Sequence, residues 1–390
     1  MTNFEYYVPT RIIFGKRVLS KLGKEAAEMG RKALLVYGRE SIKRSGLYDR
    51  ILKQCDSEGI ELVEHSGVTP NPVLSHASEG VRRAREAGVD FILAAGGGSV
   101  IDESKVIAAG AANEAPLWDL VSRKAPVEKA LPIIAIQTLP ASSSEMNQVG
   151  VLTNKETNEK LSIKSPLLAP AKAFLDPELT FSIPKQYTAY ACFDIMSHML
   201  EGYFTMTADF APVQEGIVEG LVTAVMAGLG RLLKDPEDYD ARAAVMWAGA
   251  LAWNGLANAG LKGASIPNHM LEHPLSALYD IPHAAGLTVV MPAWLEYKKS
   301  EITGRIIRFG EKILGLGGLS KSDPGAAADR VIKAFRDWIR SINCPLSMKD
   351  LGIEDPDIDE LVKQGLRLCD FWGIKGYRAA DLEAIYRLCM

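Results

Sequence analysis

The stretch Asp90–Lys105, DFILAAGGGSVIDESK, carries the fold. It opens as a strand-length apolar run (DFILAA, 90–95), turns through three glycines and continues as a helix-like segment (IDESKVIAAGAAN, 101–113). A strand that passes through such a turn into a helix is the first half of a βαβ unit. Gly96, Gly97, Gly98 and Ser99 let the backbone approach a bound group closely, with N–H groups and a helix N-terminus facing an anion such as a pyrophosphate. The turn is neither the GxGxxG dinucleotide fingerprint nor a Walker A loop. Taken alone, it also fits a plain flexible turn.

Working outward, ALLVY (33–37), ELVEH (61–65) and PIIAIQ (132–137) are further apolar runs of strand length, and SHASEGVRRAREAG (75–88) is helix-like. Strands alternating with helices imply a parallel sheet covered on both faces, which binds ligands at the carboxyl ends of its strands. ALLVY leads into Gly38-Arg39-Glu40-Ser41, and PIIAIQ leads into Thr138-Leu139-Pro140-Ala141-Ser142-Ser143-Ser144-Glu145. VTPNP (68–72) is a turn by its prolines, and its Asn71 is placed to hydrogen-bond a cofactor amide or ribose. Each alone is a loop; together they line one crevice for a nucleotide.

Past residue 183 the period changes. Ile217, Leu221, Val225, Leu229 and Leu232 recur at helical spacing, as do Val331, Phe335, Trp338 and Ile342. Helix starts are expected at Asp323-Pro324 and Asp355-Pro356, and the alanine-rich stretch 241–259 reads as buried helix. A boundary near SIPKQ (182–186) gives an α/β dinucleotide-binding domain, 1–183, and an all-helical metal-binding domain, 184–390.

The helical half holds four of the six histidines. Asp194 and His198 are four residues apart, as are His269 and His273, and His283 follows. Residues four apart share a helix face, so each pair can point at one ion. A carboxylate and imidazoles suit Fe(II) or Zn(II). A single histidine of this kind is more often a helix-surface or satisfied core residue; five compatible side chains at these spacings read as a metal site.

With 47% hydrophobic and 24% charged residues in 390, the chain is an ordinary globular protein long enough for two domains. A net charge of −4 offers no basic bias toward nucleic acid or an anionic membrane. MTNFEYYVPTRIIFGK has no apolar core of signal-peptide length, and no run approaches a membrane span in apolar content. Cys55, Cys192, Cys344, Cys369 and Cys389 are scattered and form no CxxC pair, which points to free thiols in the cytoplasm.

PTRIIFG (9–15), VTPNP, GGGSVID, TLPASSSE, LDPELTFSIP (175–184), DIMSHMLEGY (194–203) and HMLEHPLSALYDIPHAAG (269–286) occur in an order that resembles the iron-containing (group III) alcohol dehydrogenase family over essentially the full length. Within it, the resemblance is to the NADP-dependent butanol dehydrogenase-like, broad-specificity aldehyde reductase branch. That implies a dehydroquinate synthase-like fold of two domains and a metal-dependent, NAD(P)-linked oxidoreductase of primary alcohols and aldehydes. It also implies Asp194, His198, His269 and His283 as metal ligands, with His273 beside the metal and near the substrate. One turn from His269, His273 is expected to act as a catalytic acid/base or orienting group. Gly96 to Ser99 would cradle the cofactor, Asp102 would lie near the nicotinamide ribose and amide, and Thr138, Ser142 and Lys160 would add contacts. ASSSE (141–145) departs from the Gly-Thr-Gly-Ser-Glu of much of the family. One divalent metal, Fe2+ or Zn2+, a small-molecule substrate and a homodimer are the expected cofactor and partners.

A polyol (glycerol-type) dehydrogenase or a dehydroquinate synthase-like lyase on the same fold is the alternative. The lyase must bind a phosphorylated acid, yet residues 188–290 hold only Arg231, Lys234, Arg242 and Lys262 as basic residues. A non-catalytic metal- or nucleotide-binding module is a further one. Cofactor choice turns on Gly38, which stands where NAD-dependent relatives place an acid after the first strand. With Arg39 and Ser41 beside it, NADP is expected and NAD possible; Glu40 weighs the other way.

Overall fold

A computed structural model of the chain describes residues 1–208 and 210–390. Two compact units make up the chain: a sheet unit of Tyr7–Pro184 and Gly230–Asn254, and a helical unit of Met1–Tyr6, Lys185–Leu229 and Gly255–Met390. One division falls at Pro184/Lys185, beside the expected boundary. The units are nevertheless discontinuous in sequence, because 230–254 groups with the sheet and the first six residues group with the helices.

The sheet has six parallel strands, β1 (Arg11–Phe14), β2 (Lys32–Tyr37), β3 (Glu61–Ser66), β4 (Phe91–Gly97), β5 (Ile133–Leu139) and β8 (Lys172–Leu175), in the order β1-β8-β5-β4-β2-β3. The four expected strands are all there. The central ones are apolar along most of their length, as expected of a parallel sheet covered on both faces: Leu34, Leu35, Val36, Ile92, Leu93, Ile134 and Ile136 are fully buried. Burying each such side chain contributes about 1.5–3 kcal/mol. An antiparallel hairpin, β6 (Val149–Asn154) and β7 (Glu159–Lys164), follows β5. After β3 the chain crosses β2 to place β4 on its other side, so the order reverses between β2 and β4. That reversal opens the crevice in which such sheets bind ligands, beyond the strands' carboxyl ends.

The helix Tyr239–Ala252 belongs to this unit, capped by Asp238, whose carboxylate accepts from Ala241 N at 3.1 Å. The helix expected over 241–259 therefore stops at Ala252. Ser143 is the reason. Its hydroxyl donates to the Gly249 carbonyl (2.5 Å) and accepts from Trp253 N (2.7 Å), standing in for the bond that would have carried the helix on. Ser143 holds this position at φ 53°, a left-handed conformation that costs a non-glycine residue about 1–2 kcal/mol. The family's glycine position is thus taken here by a serine whose two hydrogen bonds offset that cost.

In the helical unit, Lys185–Thr205, Pro267–Tyr279 and His283–Lys298 are buried along most of their lengths. The helix Pro212–Leu232 buries Val218, Val222, Val225, Leu229 and Leu232, whereas the expected Ile217 and Leu221 are half-buried beside that stripe. By length and composition it is the one helix among the described residues able to cross a membrane. Its Glu215 and Glu219 pair with Arg305 (2.5 Å) and Arg308 (2.6 Å), and its stripe of Val218, Val222, Val225 and Leu229 packs as core, so ion pairs and apolar burial together hold it in place. Asp323 caps Pro324–Ser341 as expected. The other expected start is displaced: Asp357, not Asp355, caps Ile358–Trp372, accepting from Glu360 N at 3.0 Å while Tyr279 Oη holds its own N–H.

Candidate metal centre and cofactor site

Four donors converge in the helical unit. Asp194 and His198 lie one turn apart on Lys185–Thr205, His269 is near the start of Pro267–Tyr279, and His283 is the first residue of His283–Lys298. Asp194 Oδ1 is 3.1 Å from His198 Nδ1, 3.6 Å from His269 Nε2 and 4.0 Å from His283 Nε2. The imidazoles crowd together at a tilt, with ring centroids 4.2 Å apart and planes at 57° for His198–His269, and 5.2 Å and 52° for His269–His283.

Each ring is oriented from behind. His198 Nδ1 faces the Asp194 carbonyl at 2.8 Å, His269 Nδ1 bonds the Glu201 carboxylate, and His283 Nδ1 bonds that of Glu272. A proton held on each Nδ1 leaves Nε2 with the lone pair, as outer carboxylates and carbonyls commonly arrange for metal-ligating histidines. Glu201 also accepts from Asn268 N (2.6 Å) and His269 N (3.3 Å), capping a helix whose own Ile266 supplies no side-chain cap. Ser276 Oγ donates to the other oxygen of Glu272. Sequence reading missed both glutamates. The available signal was position: Glu201 falls on the face of Asp194 and His198, and Glu272 falls one turn after His269.

The donors fit a divalent cation. Asp194 Oδ1 and His269 Nε2 are buried, and among the described residues neither has a hydrogen-bond partner. Two such atoms aimed at one point cost several kcal/mol if left uncompensated, since each unmet buried group costs about 1–3 kcal/mol. Electrostatics point the same way. Burial alone would raise the Asp194 carboxyl, but the imidazoles of His198, His269 and His283 hold it well below the usual range. Burial alone would lower His269, but Glu201 and Asp194 push it up to about 10. The pocket demands positive charge, whether from protons or from a metal.

His273 sits one turn past His269, buried, with its ring centroid 5.5 Å from that of His283 and 4.9 Å from that of Trp372, both in edge-on geometry. Its ring, Glu272 and His283 bring donor atoms within 4.8 Å of one another. It is thus beside the four-donor cluster and outside the shell around Asp194 Oδ1.

The expected cofactor residues gather at the carboxyl ends of neighbouring strands in the sheet unit. Gly38 follows β2, with Arg39 and Ser41 exposed after it; Gly96 and Gly97 end β4, and Gly98 and Ser99 begin the helix Gly98–Ala112. A Cβ on Gly98 would lie 2.5 Å from Ser142 Oγ, so a larger residue there would force the Ser142 hydroxyl to turn away. Ser99 Oγ donates to the Pro70 carbonyl (2.6 Å), and Lys160 Nζ on β7 donates to Asn71 Oδ1 (3.1 Å). Thr138 lies near the end of β5. Asp102 accepts from Ser144 Oγ (2.5 Å) and Val151 N (3.1 Å); Ser144 in turn accepts from the buried Lys105, which also reaches Asn147 Oδ1 (2.8 Å) and the Val149 carbonyl (2.7 Å). This Asp102–Ser144–Lys105 network, also unread in the sequence, makes the cradle rigid.

Comparison with known proteins agrees with this geometry. Residues 9–177 match the family model described as iron-containing alcohol dehydrogenase, and 188–390 match that of the Fe-containing alcohol dehydrogenase family, C-terminal. The chain is 38% identical over 387 residues to the probable NADH-dependent butanol dehydrogenase 1 of Bacillus subtilis, covering 99% of each chain. It is 33% identical to the NADPH-dependent aldehyde reductase YqhD of Escherichia coli, covering 93% of each. The crystal structure of NADH-dependent butanol dehydrogenase A from Thermotoga maritima superposes with a TM-score of 0.95 at 38% identity, covering 100% of this chain and 99% of that one. With the donor cluster, the glycine cradle and both family models in agreement along its length, this chain belongs to the iron-containing alcohol dehydrogenase family.

Proposed function

We infer that the protein is a metal-dependent, NAD(P)-linked oxidoreductase that moves hydride between nicotinamide C4 and a primary alcohol or aldehyde. The observation that carries this reading is the pair of orphaned buried atoms, Asp194 Oδ1 and His269 Nε2, at the centre of four donors in a chain of this family. Asp194, His198, His269 and His283 would hold Fe2+ or Zn2+. Such an ion stabilises alkoxide character on an alcohol oxygen and polarises an aldehyde carbonyl. Glu201 and Glu272 keep the ligand nitrogens of His269 and His283 aimed inward. His273, screened on one side by Trp372, is placed to hold or pass the proton that leaves or joins the substrate oxygen. Gly38, Arg39, Ser41, Asn71, Gly96, Gly97, Gly98, Ser99, Asp102, Thr138, Ser142 and Lys160 would bind the cofactor.

NADPH is the preferred cofactor in this reading. A Cβ on Gly38 would meet only the Val68 carbonyl oxygen, at 3.6 Å, so there is space for a 2′-phosphate, and Arg39 and Ser41 are exposed beside it. The relatives named as NADH-dependent favour the opposite choice, with Glu40 taking the place of the missing acid. The five cysteines are all buried and unbridged, in keeping with the cytoplasm, and edge strand β1 with its exposed Phe14 offers a surface for a second copy in a homodimer. The test is a panel of aldehydes and alcohols with NADH and NADPH, read by cofactor absorbance on protein of assayed metal content. Turnover that persists after full metal removal would overturn the metal's role, and a higher kcat/KM with NADH would overturn the cofactor choice.

A further inference from the structure

The two histidines outside the helical half meet a single carboxylate in the sheet unit. His65 is on β3, His76 is in the first turn of the helix Leu74–Ala87, and Glu103 is on Gly98–Ala112. His76 Nδ1 lies 2.6 Å and His65 Nε2 3.2 Å from the same oxygen, Glu103 Oε1. The rings are 4.2 Å apart and tilted by 34°. His65 and Glu103 are buried, while the side chain of His76 is 25% exposed. The site is built by close approach: a Cβ on Gly80 would lie 2.9 Å from His65 Nε2, so any larger residue there would displace the ring.

Proton placement decides what the cluster can hold. His76 Nε2 faces the Ser66 carbonyl at 3.0 Å and must carry the hydrogen. In the neutral ring, the lone pair of Nδ1 then points at a carboxylate oxygen 2.6 Å away. Two lone pairs so close repel each other unless a cation lies between them. A backbone carbonyl on the far nitrogen is also the usual outer partner of a histidine that ligates metal. Glu103 Oε2 is buried without a hydrogen-bond partner among the described residues, which leaves the carboxylate a spare oxygen able to ligate a cation.

We propose that His65, His76 and Glu103 form a second metal site, for a zinc-like divalent cation, in the sheet unit. Two imidazoles and one carboxylate are a three-ligand set that zinc takes with its fourth position open to water. The exposed edge of His76 supplies the entry path. An ion here ties β3 to two helices, one of which begins at the glycine turn of the cofactor cradle.

The test uses the holoenzyme with its Asp194-centre metal in place, equilibrated with chelator-buffered Zn2+ and then analysed for metal per chain. Wild type should gain a second equivalent. His76→Ala and the isosteric Glu103→Gln should lose it while keeping the first, with zinc affinity at the second site falling by more than the roughly 10–100-fold that loss of an outer partner costs. Zinc should also raise the melting temperature of wild type and of neither variant. If wild type binds a single equivalent, or if the second survives both substitutions, the proposal is wrong and the bridging cation is a proton on His76.

Discussion

Glu201→Gln is the substitution that most directly tests how the metal centre is held. Glu201 is fully buried, and its two oxygens serve three donors: His269 Nδ1, His269 N and Asn268 N. Glutamine keeps one acceptor oxygen. If that oxygen turns to His269, the new amide N–H groups face two backbone N–H groups, and two buried donors go unmet at about 1–3 kcal/mol each. If it turns to the backbone instead, the amide N–H faces His269 Nδ1, and the ring must move its proton to Nε2. The second arrangement leaves fewer donors unmet, so the variant should fold with a modest loss of stability and lose the His269 lone pair as a ligand. Metal affinity should fall by about 10–100-fold, equivalent to about 1.4–2.8 kcal/mol. Competition against a graded series of chelators, followed by elemental analysis, reads this without reference to activity. A Glu201→Gln protein that retains metal within a factor of about three of wild type, less than 1.4 kcal/mol, would refute the claim that Glu201 sets the ligating nitrogen.

Three further outcomes are expected. His273→Ala should cut kcat by about 10²–10⁴-fold, the range for losing a general acid or base, while elemental analysis finds metal content close to wild type; joint loss of metal would make His273 a ligand. Metal uptake should release protons, because His269, pushed up to about 10, is protonated at neutral pH, whereas Asp194, held low, is already ionised. The His269 ion pair stabilises the metal-free fold fully below the ordinary histidine pKa near ~6.5 and loses that contribution as pH rises through about 10, so metal affinity should climb across the same window; potentiometry showing no proton release at neutral pH would contradict it. Gly38→Asp should shift cofactor preference toward NADH, read as the ratio of kcat/KM values, since a carboxylate there repels a 2′-phosphate.

Much of this was legible in the sequence because the informative residues are local. DFILAAGGGSVIDESK contains its own strand, turn and helix, and the apolar runs of β2, β3 and β5 are long enough to declare themselves. RIIF and KAFL, which became β1 and β8, are four residues each and too short to carry a period. The hairpin β6–β7 hides a buried Lys160 in a run that reads as polar. Glu201 and Glu272 look like ordinary helix-face carboxylates until another helix N-terminus or another histidine is brought against them. Ser143 was unreadable for a related reason: serine rarely adopts a left-handed conformation, and its hydrogen bonds to Gly249 and Trp253 span more than 100 residues.

The discontinuity of the sheet unit governs the order in which the chain can acquire structure as it is synthesised. Domains form as units, N-terminal first, while the ribosome adds residues. Here the sheet unit stays incomplete until Asn254 has emerged, because the helix Tyr239–Ala252, with the Gly249 and Trp253 groups that engage Ser143 and the Trp247 ring that meets Phe14, arrives last. All of Lys185–Leu229 is therefore made, and must wait or fold elsewhere, before Ser143 can meet its partners. A fragment ending at residue 183 leaves Ser143 strained with both of its partners missing. An excised sheet unit would need residues 230–254 supplied to it.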